Sequence, residues 1–221
     1  MKTVKGVDEA RVPQSFACDN GKYIISYIYK DTQRVIVYGD GKTVYEPETD
    51  LGHANGFTIV DGLCYSVRGG GDTKVITFDT SNKNYGSFEL AYGASGIAYD
   101  ETSDMIYTSS RGDLTAYDRK FNVINKTGRV IRTRPFYVQD CGAYGGILMH
   151  CISGEDYKGI NYIDFYDMIN SRYLGSVECD LSEIESLIVD EEGYIELLCN
   201  TSEREDYIWK TPLNMKTLCE E

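Results

Sequence analysis

The sequence predicts an all-β fold, a five-bladed β-propeller with four-stranded antiparallel blades, and three observations carry that reading. A pattern repeats at about 40 residues, each repeat holds about four short apolar runs separated by Asp, Asn or Gly turns, and the composition favours strands. The 221 residues include 19 Tyr and 22 Gly but only 4 Pro, which suits many short strands joined by tight turns.

The repeats read QSFACDNGKYIIS from Gln14, NGFTIVDGLCYS from Asn55, SGIAYDETSDMIYTSS from Ser95, PFYVQDCGAYGGILMH from Pro135 and ESLIVDEEGYIELLC from Glu185. Their starts advance by 41, 40, 40 and 50 residues. Each has a small or polar entry, a short apolar strand, a turn and a Tyr/Ile-rich strand. A third strand follows in RVIVYGDG, KVITFDT, DLTAYDR, NYIDFYD and DYIWKT, and most units add a fourth stretch such as YGSFELAYG or FNVINKTG. The best helical competitor is DLSEIESLIVDEE, where Ser182 and Glu185 could form a capping box, but its β-branched run and its match to the other repeats favour strand. One domain over 1–221 follows, without linkers. The ring is expected to close through KTVKGV or LNMKTLC, and the sequence does not choose between them.

Charge narrows the function classes. Lys and Arg total 22 against 35 Asp and Glu, a net charge of −13. Such a field repels phosphate backbones and anionic lipid, so nucleic acid is not an expected partner. No run of 18 apolar residues is present, so no membrane insertion is expected. The N-terminal stretch MKTVKGVDEARVPQSF has no apolar core of a signal peptide, which makes the cytoplasm the default compartment, or an extracellular setting for a domain fragment or a phage-borne protein. Seven scattered cysteines with no CxxC, and two histidines nearly a hundred residues apart, give neither a zinc site nor a disulfide framework. Free thiols, no cofactor, no metal and a monomer are the expectations.

The candidate site follows from the ring. The innermost strands of a propeller start at one face of a central channel, so their entry positions converge whatever their distance in sequence. Those positions are Gln14, Asn55, Ser95, Pro135 and Glu185, with His53, Glu183 and Arg134 beside them. The predicted ligand-binding set is Gln14, His53, Asn55, Ser95, Arg134, Glu183 and Glu185. Amide, imidazole, hydroxyl and carboxylate groups together suit a glycan or small polyhydroxylated ligand, whose hydroxyls both donate and accept.

No catalytic residue is assigned. A glycosidase needs two carboxylates about 5–5.5 Å or 6.5–9.5 Å apart, and the only acidic entries, Glu183 and Glu185, sit on one repeat. The recurring Asp19, Asp61, Asp100, Asp140 and Asp190 read as turn residues at the opposite end, capping their own backbone. SVRGGGDTK lacks the phosphate-loop pattern, and the sequons at Asn125 and Asn200 carry no weight in a reducing compartment. Two alternatives stand behind the binding module: a glycosidase- or lyase-like enzyme using Glu185 and His53, and a protein-interaction scaffold with an inert channel.

At LGHANGFTIVDGLCYSV the sequence resembles a group of bacterial and phage propellers: helveticin-like proteins, teichoic-acid biosynthesis C proteins, and receptor-binding domains of phages that attack Gram-positive cells. The matching residues are Gln14, Ser15, Phe16, Gly52, His53, Ala54 and Asn55. The resemblance implies recognition of a cell envelope or glycan rather than catalysis.

Overall fold

A computed structural model describes residues 2–3, 12–29, 32–38, 43–45, 51–79, 85–130, 136–154, 160–200 and 207–220, with backbone alone for 2–3, 29, 32–38, 43–45 and 85. Among the described residues, twenty strands form five four-stranded antiparallel sheets in a propeller-like arrangement. Sheet one holds β2 (Val12–Asp19), β3 (Lys22–Tyr29), β4 (Thr32–Tyr38) and β5 (Thr43–Tyr45); sheet two holds β6 (Gly56–Val60), β7 (Leu63–Val67), β8 (Asp72–Phe78) and β9 (Tyr85–Ala94). Sheet three is β10 (Gly96–Asp100), β11 (Met105–Ser109), β12 (Asp113–Tyr117) and β13 (Val123–Gly128). Sheet four is β14 (Phe136–Tyr144), β15 (Ile147–Gly154), β16 (Asn161–Asp167) and β17 (Arg172–Cys179).

The last sheet is built from both ends of the chain. It runs β18 (Glu183–Val189), β19 (Tyr194–Asn200), β20 (Tyr207–Asn214) and then β1 (Lys2–Thr3), which pairs Lys2 with Ile208 and Thr3 with Tyr207. The N-terminal segment therefore supplies the closing outer strand. The C-terminal candidate instead ends β20 and turns into a short helix, α1 (Met215–Glu220), whose Thr217 amide donates to Asn214 Oδ1 at 3.2 Å.

Apolar packing lies between sheets, as it must when each sheet hides both faces against neighbours. Phe57, Cys64, Ile76 and Phe78 of sheet two meet Ala17 and Ile24 of sheet one; Val67, Val75 and Leu90 meet Ile97, Ile106 and Tyr117 of sheet three. Sheets three and four share Tyr107, Leu114, Cys141 and Leu148, and sheets four and five share Met149, Ile163, Ile184 and Leu197. Phe16, Ile25 and Tyr27 then meet Leu198 and Ile208, which joins the first sheet to the last. Polar bonds cross the same seams: Tyr23 OH donates to Glu196 Oε2 at 2.7 Å, the Tyr99 amide to Thr58 Oγ1 at 2.8 Å, and the Gly146 amide to Asp100 Oδ2 at 2.8 Å.

Two readings of the sequence are corrected in the fourth repeat. Its inner strand turns at Gly145 and Gly146, both at positive φ, with Tyr144 paired to Ile147. Asp140 is thus not a turn residue but lies inside β14, fully buried. The entry assigned to Pro135 is displaced by the same error, and Pro135 lies outside the described residues. The slip of four residues comes from Asp140, which lies where the 40-residue spacing predicts a turn, whereas the turn forms at the Gly145–Gly146 pair.

Candidate functional site

Counting back four residues from the last paired residue before each inner hairpin turn (Asp19, Val60, Asp100, Tyr144 and Asp190) gives Ser15, Gly56, Gly96, Asp140 and Ser186. These five form one layer across the axis. Asp140 fills its centre: Oδ1 accepts the Ile97 amide at 3.1 Å and the Cys141 amide at 2.8 Å, while Oδ2 accepts Ser15 Oγ at 2.5 Å and Ser186 Oγ at 2.7 Å. Ser15 Oγ in turn accepts the Phe57 amide at 2.9 Å. One carboxyl therefore ties sheets one, three, four and five directly, and sheet two through Ser15. Glycine makes the room, since a Cβ on Gly56 or Gly96 would stand 2.8 or 2.7 Å from Asp140 Oδ1. Burial dominates its acidity and pushes the carboxyl up to about 7, against the four hydrogen bonds that favour its charge.

One residue toward the strand entries lies the predicted ring, with its fourth member corrected: Gln14, Asn55, Ser95, Gln139 and Glu185. Bulges at Pro13/Ser15, Val138/Cys141 and Ile184/Ser186 take Gln14, Gln139 and Glu185 out of the ladder. Glu183, Glu185, Gln139 and Asn200 come together here. Asn200 Nδ2 donates to Glu183 Oε2 at 3.2 Å and, at the 3.5 Å limit, to Glu185 Oε1, and Gln139 Nε2 donates to Glu183 Oε1 at 3.3 Å and Ser153 Oγ at 3.1 Å. Burial raises the Glu183 carboxyl, opposed by its hydrogen bonds with Glu185 and Asn200. Two carboxyls in hydrogen-bond contact are closer than the spacing glycoside hydrolysis uses.

The remaining predicted residues are placed differently from one another. Gln14 is buried and donates Nε2 to Pro13 O at 3.0 Å; Ser95 is buried, its amide on Ser109 O at 2.6 Å. His53 sits in a turn closed by the Ala54 amide on Leu51 O at 3.0 Å, its own amide on Arg68 O at 2.9 Å, with its side chain exposed. Asn55 is half-buried, and its Oδ1 is enclosed with no hydrogen-bond partner. Arg134 lies outside the described residues.

Among the described residues, a cavity opens at the other end. This cavity, of about 570 Å³, extends from the Asp140 layer to the hairpin turns, lined from all five innermost strands. Phe57, Ile97, Cys141 and Leu187 lie at its base; Asp19, Asn20, Asp61, Tyr99, Glu101, Thr102, Tyr144, Asp190 and Glu191 surround its mouth, with Lys216 of α1 the one cation among the described residues that line it. None of the six predicted site residues that are described, Gln14, His53, Asn55, Ser95, Glu183 and Glu185, lines it. Two rim carboxylates are engaged by cations, Asp61 by Arg119 and Asp190 by Lys210. Among the described residues no three His, Cys, Asp or Glu side chains gather as a metal site, and no helix is long and apolar enough to cross a membrane.

No protein-family model matches the chain, and no curated protein matches it. Among solved structures, U3-55K, a WD40 β-propeller protein, aligns with a TM-score of 0.55 at 12% identity. The alignment covers 96% of this chain and 64% of that one, so this chain spans less than two thirds of its neighbour's length. The likeness shows the fold: this chain is a β-propeller.

Proposed function

We propose that the chain is a five-bladed propeller acting as a binding module, which takes a neutral polyhydroxylated ligand, such as a glycan, in the cavity at the hairpin-turn face. The observation that carries this reading is the cavity itself: about 570 Å³, open, and lined from five sheets, within the size range of small-molecule sites. Its rim offers carboxylates, an amide and a threonine to accept and donate with sugar hydroxyls, and Tyr99 and Tyr144 as ring faces. The excess of carboxylates disfavours anionic ligands. The resemblance to helveticin-like and phage receptor-binding propellers agrees with a glycan.

A second reading keeps the ligand at the strand-entry face, on Gln14, His53, Asn55, Ser95, Arg134, Glu183 and Glu185. The enclosed, unpartnered Asn55 Oδ1 favours it, because a ligand hydroxyl would satisfy that atom. Calorimetric titration against neutral oligosaccharides separates the two. On the first reading, Tyr144→Ala and Asp19→Asn weaken binding at least about tenfold, the cost of one stacking or hydrogen-bond contact, while His53→Ala and Asn55→Ala leave it unchanged. The reverse pattern moves the site to the entry face, and no binding by any neutral saccharide removes the glycan reading.

A further inference from the structure

The base of the cavity hangs on one side chain. Phe57, Ile97 and Cys141 line the base, and their amides are the ones fixed by Ser15 Oγ and Asp140. Leu187, the fourth base residue, follows Ser186, whose hydroxyl donates to the same carboxyl. We infer that Asp140 is a proton-operated clamp on the cavity floor, closing it when protonated and letting it open to water when ionised. The consequence for affinity rests on the binding role proposed above; the clamp itself does not.

The charge environment gives the direction. The five innermost strands contain no lysine or arginine, so an ionised Asp140 has no cation on them to face. The ionisable groups on the strands packed around it are the Cys141 and Cys151 thiols, both held well above their ordinary value by burial and then by Asp140, together with His150 on β15 and Glu183 and Glu185 on β18. The outer ends of β2, β10 and β14 add Cys18, Asp19, Tyr99, Asp100 and Tyr144, with Tyr137 toward the entry end of β14 and Tyr107 on β11.

A protonated Asp140 keeps its bonds, because the two serine hydroxyls lie 3.4 Å apart and either can act as donor, so one can turn to accept from the acid. Once ionised, the carboxyl gains from hydration, and a floor opened to water returns it toward the ordinary carboxylate range. The open state then binds fewer protons than the closed one. Raising pH through the interval between the two therefore favours opening, by up to about tenfold per pH unit.

Amide hydrogen exchange followed by NMR on the ligand-free protein tests this. Protection factors, which already remove the intrinsic pH dependence, should fall at least about tenfold for Phe57, Ile97 and Cys141 between pH 5 and pH 8. Ile163 on β16 should stay within about twofold, and Asp140→Asn should abolish the pH dependence while His150 is still present. Unchanged protection at the three floor amides, an equal fall at Ile163, or the same fall in Asp140→Asn would each overturn the clamp. Should Asp140→Asn not fold, the carboxyl carbon of Asp140 in the wild type decides: a titration near neutrality sustains the proposal, and one in the ordinary carboxylate range ends it. No ligand is present, so failure here leaves the binding role standing, and failure to bind saccharide leaves the clamp standing.

Discussion

Asp140 Oδ2 on β14 accepts a hydrogen bond from Ser15 Oγ on β2 at 2.5 Å, across 125 residues of sequence. Sheets one and four are not neighbours in the ring, since sheet five lies between them. Only a side chain at the axis can make such a bond. The same carboxyl reaches Ile97 and Ser186, so the channel is plugged at this layer and its open volume lies on the turn side. A ligand entering from the turns would meet a floor whose geometry is set by one residue.

Removing that residue should be costly. Asp140→Ala leaves two serine hydroxyls and the Ile97 and Cys141 amides without their acceptor in a buried layer. The expected loss is about 3–5 kcal/mol, since each unmet buried group costs about 1–3 kcal/mol and the serines can turn to one another. Urea unfolding measures it. A loss below about 1 kcal/mol would mean that water replaces the carboxyl, and that the layer is not closed.

Stability should depend on pH in a direction unusual for an aspartate. The folded carboxyl titrates at about 7, above its unfolded value of 3.8. Its contribution is fully present below about pH 4 and is lost as pH rises through 7, on the order of 2–4 kcal/mol across that window. Half-buried Asp118 and Asp167 are shifted the other way by their Asn hydrogen bonds, so their contributions fade as pH falls below the carboxylate range. Stability should peak on the acid side of neutrality, and Asp140→Asn should flatten the alkaline limb. A wild-type maximum at pH 8 would contradict the burial argument.

Thiol reactivity should sort by position. Cys219 on α1 is exposed and Cys18 half-buried, whereas Cys64, Cys141, Cys151, Cys179 and Cys199 are buried, and all seven are free. Burial also raises the buried thiols, Cys199 to about 12, which lowers the thiolate fraction further. Native alkylation at pH 5, followed by mass, should label Cys219 first, Cys18 next and the remaining five only on unfolding. Early labelling of Cys141 at pH 5 would indicate a cavity floor already open while Asp140 is protonated.

The repeat was legible because every inner strand ends in a turn with Asp, Asn or Gly, and because four of the five entries, Gln14, Asn55, Ser95 and Glu185, occupy equivalent places. The fourth was not. QDCGAYGG offers two turn signals, and the first, at Asp140, matched the spacing of its neighbours better than the Gly145–Gly146 pair that forms the turn. With the turn read four residues early, Gln139 is missed as an entry and Asp140 is assigned to the wrong end. Counting back from the Gly-Gly turn would have found both. The position of the open volume was illegible for a related reason: sequence places residues on a channel, but which half is filled depends on one carboxyl fitting above two glycines.

Those glycines give the sharpest test of the central layer. A Cβ on Gly96 would lie 2.7 Å from Asp140 Oδ1, from the Cys141 amide nitrogen and from Ser109 Oγ; one on Gly56 would meet the Ile97 amide nitrogen at 2.7 Å and Gly96 Cα at 2.8 Å. Backbone atoms of a closed ring cannot step aside without moving the neighbouring strand. Gly112 is the matched control, with nothing within 4 Å of its added Cβ. Gly56→Ala and Gly96→Ala should each cost about 2–4 kcal/mol, overpacking of a tight core together with disturbed polar bonds, and Gly112→Ala should stay within about 0.5 kcal/mol. The decisive variant is Gly96→Ala combined with Asp140→Ala. If the clash is with the carboxyl, the pair should cost measurably less than the sum of the singles, whereas strict additivity would place Asp140 away from the axis.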